Sequence, residues 1–349
     1  MRSTYKKEDV ELLLKDITGL VEPQTTKVRE RLIQKGRHYC EMLPIEYSPS
    51  EIYLQAYYES LNLFSKPTAQ AVGNLADKIM KCKGEKVVLV SLARAGIPIG
   101  ILLKRYIKWK YKEDIKHYSI SIIRGKGIDK NAMNYLLSKH KPKDLLFVDG
   151  WIGKGAILRE LEKATAEFKG VSSKLAVLAD PANITDLCGT HEDILIPSSC
   201  LNCTVSGLIS RTFLRSDIIG KDDFHGAVFY EDLINQDLSY EFIEKIEKDF
   251  LSDNEKDAII LQQQGIDEVK EIRNKYSIDD INLIKPGIGE TTRVLLRRVP
   301  WKVLISDQCK NDIALAPIIR LAEEKKVEVE YYPLRNYKAS GIIKKLADA

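Results

Sequence analysis

The run Leu145-Leu146-Phe147-Val148-Asp149-Gly150-Trp151-Ile152-Gly153-Lys154-Gly155-Ala156-Ile157 decides the fold. An apolar run delivers a carboxylate, glycines turn the chain, and a helical pattern follows to Phe168. Such a short, almost wholly apolar run is what a strand covered on both faces requires, which points to a parallel sheet. Glycines let the backbone approach a ligand, and a helix start offers unpaired N–H groups to a phosphate. Lys154 adds a point charge. Asp149 would be repelled by that phosphate and suits sugar hydroxyls or a magnesium ion. The spacing from first glycine to lysine excludes a Walker-type loop.

The same rhythm extends on both sides. Val87–Leu92 is an apolar run that ends in Ala93-Arg94-Ala95-Gly96 and a helical pattern over Ile97–Trp109. His117–Ile123 and Lys174–Leu178 read as further strands, with Ile194–Pro197 a candidate fifth. Strands alternating with helices predict a doubly wound parallel sheet. Residues 1–80 read as helical, with no strand signal: Arg29–Lys35, Ser50–Leu61 and Pro67–Met80 carry helical spacing. Pro67 stands where a first helical turn tolerates proline. A charged, mostly helical connector follows Tyr230, and a new α/β rhythm starts near Ile281, ending in an expected helix over Ala339–Leu346. The reading is therefore a helical region over 1–80, an α/β domain over 81–230, a connector over 231–280 and a small domain over 281–349.

With 349 residues, two domains are the default. The net charge of +4 excludes a polycation. From Ile281 onward 13 Lys and Arg stand against 8 Asp and Glu, which makes the C-terminal piece the candidate for a polyanion partner. No apolar run reaches the roughly 20 residues of a membrane helix, and the start, Met1-Arg-Ser-Thr-Tyr-Lys-Lys, has no signal-peptide core. Six scattered cysteines without export signals read as reduced thiols in a cytoplasm.

Three strand ends carry site chemistry. Arg94, among small residues and exposed N–H groups, suits a diphosphate. Arg124-Gly125-Lys126-Gly127-Ile128-Asp129 is a basic, glycine-rich stretch suited to a lid. The third is the Asp149–Ala156 turn. Asp180 also ends a strand, and a cap or turn role is equally open. Cys188-x2-His191-x8-Cys200-x2-Cys203 has zinc-ligand spacing, although the intervening Ile194–Pro197 strand pattern disfavours zinc. Cys200 with His191, His225 or His38 is the thiol-peptidase reading.

Together the three turns resemble the phosphoribosyltransferases of the orotate-type fold. That resemblance implies a parallel sheet under an N-terminal helical hood. It also implies Mg²⁺ carried by the substrate's diphosphate. Ala93, Arg94, Ala95 and Gly96 would hold pyrophosphate, and Arg124 and Lys126 would close over it. Asp149 would bind ribose, and Gly150, Trp151, Ile152, Gly153, Lys154, Gly155 and Ala156 would form the 5′-phosphate loop. Asp149, Arg94, Arg124 and Lys126 are the expected catalytic residues, transferring phosphoribose from phosphoribosyl pyrophosphate to a base-like acceptor. Gly150 stands where the family has a second acid, and Gly153, Lys154 and Ile157 stand where it has hydroxyl residues.

Ile284–Ala349 resembles the Pelota and kink-turn-binding superfamily, a small α/β/α domain whose Gly-x-Asn-Glu-x-x-Lys signature contacts RNA. Gly287, Glu290 and Arg293 match it, Gly289 replaces the Asn, and Arg297 follows. A protein-interaction or dimer module is the alternative for this domain, and a homodimer is allowed. Over residues 25–345 the chain is similar to bacterial proteins of tellurite-type stress-resistance operons, a family also labelled cysteine protease StiP. His38-Tyr39-Cys40-Glu41-Met42, Ser91–Gly96, Val148–Gly155 and Ile196–Arg211 carry that similarity. Three activities remain on the table: the transferase, a non-catalytic nucleotide sensor that binds RNA, and a cysteine peptidase.

Overall fold

The computed structural model describes residues 1–253 and 263–344. Its strands are β1 (Glu11–Leu12), β2 (Lys15–Asp16), β3 (Val88–Leu92), β4 (Lys116–Ile120), β5 (Ile122–Ile123), β6 (Gly127–Ile128), β7 (Leu145–Trp151), β8 (Leu175–Ala179), β9 (Cys188–Thr190), β10 (Gly226–Ala227), β11 (Ile284–Pro286), β12 (Pro300–Ser306), β13 (Glu328–Tyr332) and β14 (Ala339–Ile343). The α-helices are α1 (Thr26–Gln34), α2 (Glu51–Lys83), α3 (Gly96–Tyr111), α4 (Lys130–Lys139), α5 (Ala156–Thr165), α6 (Ser239–Glu247), α7 (Gly265–Lys275), α8 (Ile288–Arg297) and α9 (Ala316–Glu324).

The chain is mixed α/β. A parallel sheet runs β1-β4-β3-β7-β8-β9. β3 and β8 are buried at every position, so both faces are covered, as their unbroken apolar sequences require. From β3 the chain steps outward to β4 and then returns to the other side as β7, which makes the β3/β7 boundary the topological switch point. The turns after β3 and β7 therefore splay apart there. Before they part, the start of α3 packs on β7, where Gly96 is required because a Cβ on it would stand 2.4 Å from the Val148 carbonyl oxygen.

Three expectations for the first two hundred residues need correction. The N-terminal region contributes strands, β1 on the sheet and β2 on β10. Two residues each are too few to show alternation. The two helices expected over 50–80 are one, α2, with Pro67 inside it. Proline forfeits one backbone hydrogen bond, but the buried face from Ala56 to Ile79, packed on β8 and β9, carries the helix through. The strand expected over Ile194–Pro197 is not one: the last strand of the sheet is Cys188–Thr190, while Pro197 begins a 3₁₀ turn.

The C-terminal sheet runs β11-β14-β12-β13, with α8 and α9 on one face and α7 on the other. β14 replaces the expected terminal helix. Its Ala339–Ile342 stretch is buried, and Gly341 lies against Thr291 and Val294 of α8, so two-sided packing overrides helix propensity. Residues 345–346 of that expectation lie outside the described residues. α6 packs on α2 and α3. The core under α2 and α3 is continuous with the inner face of the C-terminal domain through Ile288, Leu295 and Ile305. Arg320 of α9 pairs with both carboxylate oxygens of Glu59 on α2 at 2.7 and 2.6 Å, tying the two units together. Among the described residues no helix is long and apolar enough to cross a membrane.

Candidate functional site

The β7–α5 turn opens where it was expected to, but onto the C-terminal domain. A cavity of about 250 Å³ is lined by Asp149, Trp151, Lys154 and Arg124 on one side and Lys285, Glu290 and Arg293 on the other. Gly155 reaches α5 in the left-handed conformation at φ +72°, which glycine adopts without strain. The Asp149 carboxylate accepts its own neighbour's Gly150 N–H at 2.8 Å, and burial raises its pKa to about 6. The Lys154 ammonium donates to the carbonyls of Ile281 and Ile284, each at 2.8 Å. Burial and the nearby Lys285 lower its pKa to about 8.

Other expected site residues are committed elsewhere. Arg94 is turned away from this cavity. Its guanidinium pairs with Glu46 at 3.1 Å and donates to the Ile209 carbonyl at 2.8 Å, so the turn Ala93–Gly96 presents no free cation. Gly125 and Gly127 donate to Glu160 of α5 at 2.8 and 3.0 Å, pinning the β5–β6 hairpin that carries the exposed Arg124 and Lys126. Arg124 bridges to Asn282 of the C-terminal domain at 3.2 Å.

At the start of α8, where the RNA-type signature falls, a carboxylate already sits. Asp193 accepts the Ile288 N–H at 2.9 Å and the Lys338 N–H at 2.9 Å, and burial raises its pKa to about 7. Glu290 and Arg293 line the cavity, Gly287 flanks Asp193, and the Arg297 side chain lies outside the described residues.

Two histidines contact thiols. His191 Nε2 lies 3.5 Å from Cys188 Sγ, while its Nδ1 lies 2.9 Å from the Asp180 carbonyl oxygen and 3.9 Å from the Asp180 carboxylate. Cys188 and Asp180 are buried, and His191 is partly exposed. Asp180 also accepts the Ile184 and Thr185 N–H groups at 2.6 and 2.7 Å, holding the turn that leads to Cys188, and burial raises its pKa. The parallel strands β8 and β9 build this arrangement, bringing the end of one beside the end of the other. The second pair is His38 Nδ1 and Cys40 Sγ at 2.9 Å. There Nδ1 also accepts the Cys40 N–H, which makes the imidazole a cap for a 3₁₀ turn, and burial raises the Cys40 thiol pKa.

The Cys200 reading is corrected at this point. The thiol at His191 is Cys188, whereas Cys200 lies 3.5 Å from the Ser60 hydroxyl and 3.9 Å from the Ala56 carbonyl, buried under α2. Among the described residues no three His, Cys, Asp or Glu side chains converge as a metal position. The sequence displayed Cys188, His191 and Asp180, the first two at a zinc-ligand spacing that the neighbouring strand pattern disfavoured. Glu46 and Asp193 were missed. A single acid before the apolar Ile194-Leu-Ile196 run was the available signal for Asp193.

Residues 3–247 match the model of the family described as tellurite-like stress resistance cysteine protease StiP. Residues 263–345 match the PELOTA RNA binding domain. A curated relative from Acinetobacter baylyi, named cysteine protease StiP, is 35% identical and aligns over 98% of this chain and 94% of its own length. The Helicobacter pylori xanthine-guanine-hypoxanthine phosphoribosyltransferase structure covers 38% of this chain and 72% of its own at 17% identity, with a TM-score of 0.21, too low to bear on fold or activity. These findings overturn the expected phosphoribosyltransferase, and with it the transferase and phosphoribosyl pyrophosphate assignments, because family and relative alike carry a protease name. The engagement of Arg94 with Glu46 agrees with that correction.

Proposed function

Since the chain belongs to the StiP family of tellurite-like stress resistance cysteine proteases, we propose that it is a cysteine peptidase with Cys188 as nucleophile and His191 as its base. The observation that carries this reading is the alignment of Cys188 Sγ, His191 Nε2 and Nδ1, and the Asp180 oxygens. A thiol needs a base at hydrogen-bond reach and a third group to orient that base. The Nδ1–H donated to the Asp180 carbonyl sets the tautomer in which Nε2 accepts the thiol proton.

In the first half-reaction His191 Nε2 takes the proton of Cys188, and the thiolate attacks the peptide carbonyl carbon. The tetrahedral adduct collapses with cleavage of the C–N bond, and the leaving amine takes the proton from Nε2. Water then gives a proton to Nε2 as its oxygen attacks the thioester. Collapse releases the carboxylic acid, and the proton on Nε2 restores the thiol. The nearby Asp180 carboxylate stabilises the imidazolium that forms in each half. Cys188 is buried, so a peptide reaches it only when the segments packed over the thiol move.

The test is cleavage of fluorescein-labelled casein under reducing conditions, with iodoacetamide labelling mapped by mass spectrometry. Cys188→Ala abolishes cleavage while Cys200→Ala and Cys40→Ala retain it. Full activity in Cys188→Ala would sink the assignment.

A further inference from the structure

We propose that the cavity between the two domains is a phosphodiester site for an RNA strand, built jointly by the β7–α5 turn, the β5–β6 hairpin and the C-terminal domain. It lies apart from Cys188 and does not depend on the peptidase reading.

Charge is the first argument. Arg124, Lys154, Lys285 and Arg293 line one cavity with only Asp149 and Glu290 to oppose them. Burial and neighbouring cations push Lys154 and Lys285 below their ordinary lysine pKa. Crowding cations in a partly desolvated space costs free energy that a bound anion offsets. Among the described residues the Lys285 ammonium has no hydrogen-bonded partner, and Lys154 gives two of its three N–H groups to carbonyls, leaving one.

Competition is the second. A helix start is the usual place for a phosphate, but at α8 the Asp193 carboxylate fills it. A phosphate is placed instead along the same helix at Arg293, whose partly exposed guanidinium keeps N–H groups beyond the one that meets Glu290 at 3.4 Å, and the cations of both domains line the cavity there. The Arg293 guanidinium lies 5.8 Å from the Trp151 ring centroid, which lends the wall an aromatic and guanidinium face of the kind single-stranded bases stack on. The match of residues 263–345 to an RNA-binding domain selects RNA among polyanions.

The experiment is fluorescence anisotropy of the full chain with a fluorescein-labelled single-stranded RNA from 50 to 200 mM KCl. Binding should weaken steeply with salt. Lys285→Ala and Arg293→Ala should each weaken it several-fold and flatten the log–log salt slope by about 0.7, the loss of one phosphate contact to a single strand. These two variants are chosen because Lys154 also anchors the chain near Ile281 and Ile284, so its removal risks the fold. Native-like melting of both variants shows that the fold is intact. RNA binding by the double variant equal to that of the native chain overturns the proposal. So does absence of binding by the native chain, or full displacement of RNA by millimolar inorganic phosphate or adenosine monophosphate, which would mark a small-phosphate site instead.

Discussion

The tip of β7 and the edge formed by β8 and β9 are both strand ends of one parallel sheet, yet they behave as opposites. The β7 tip is conspicuous in sequence. Its glycines and lysine spell an anion turn, and the structure opens that turn onto a cationic cavity shared with another domain. The β8–β9 edge is quiet, with a strand-end aspartate, a short strand and a histidine, and it carries the aligned thiol, imidazole and carboxylate. A motif reports what a backbone turn can accept. Catalytic alignment depends on which strands lie side by side, and a strand pairing leaves no spacing rule in the chain.

The comparison breaks first at the thiols. Cys188→Ala should cost about 10⁴-fold or more in peptide cleavage, as loss of a nucleophile within a cooperating set does, with Cys200→Ala near native. Asp180→Asn should cost about 5- to 1000-fold, the effect of a charge about 4 Å from an imidazolium in dielectrics between those of water and a protein surface. Equal losses in Cys188→Ala and Cys200→Ala would erase the distinction between the two thiols.

Arg94 sharpens the other side. Its pairing with the nearly buried Glu46 makes it structural. Arg94→Ala should lower stability by about 3–5 kcal/mol, the penalty for a buried charge left alone, with no change in RNA salt slope. Chemical denaturation and anisotropy on the same preparation read both. Asp193→Ala leaves the Ile288 and Lys338 N–H groups without their acceptor. It should cost about 1–3 kcal/mol, the usual desolvation penalty, seen as a lower melting temperature.

The smallest expected effect is a pH profile. Lys154, with its pKa lowered to about 8, loses its charge as pH rises through that value. Around it stand Lys285, Arg124, Arg293, Glu290, Asp149 and Asp280. RNA affinity should fall a few-fold between pH 7 and about 9, consistent with losing about one phosphate contact, and Lys154→Arg should flatten the fall. Stability moves the other way. Between about 8 and the ordinary lysine value of 10.5 the unfolded chain binds more protons, so this group makes the fold more stable as pH rises through that window. A flat affinity profile in the native chain would remove Lys154 from the site.

Sequence by itself determined the parallel α/β core, because Val88–Leu92, Leu145–Val148 and Leu175–Ala179 are apolar enough to need cover on both faces. It also determined the C-terminal α/β unit and the glycine turn at Gly153–Gly155, since those are local properties of composition and backbone freedom. Tertiary structure alone decided that Ala339–Ile343 is a strand, that Arg94 belongs to Glu46, that His191 meets Asp180, and that Asp193 caps α8. The last bond spans 95 residues and Arg94–Glu46 spans 48. The physical reason is that contacts of this range form when packed elements bring distant side chains together, and local propensity and spacing carry no term for them.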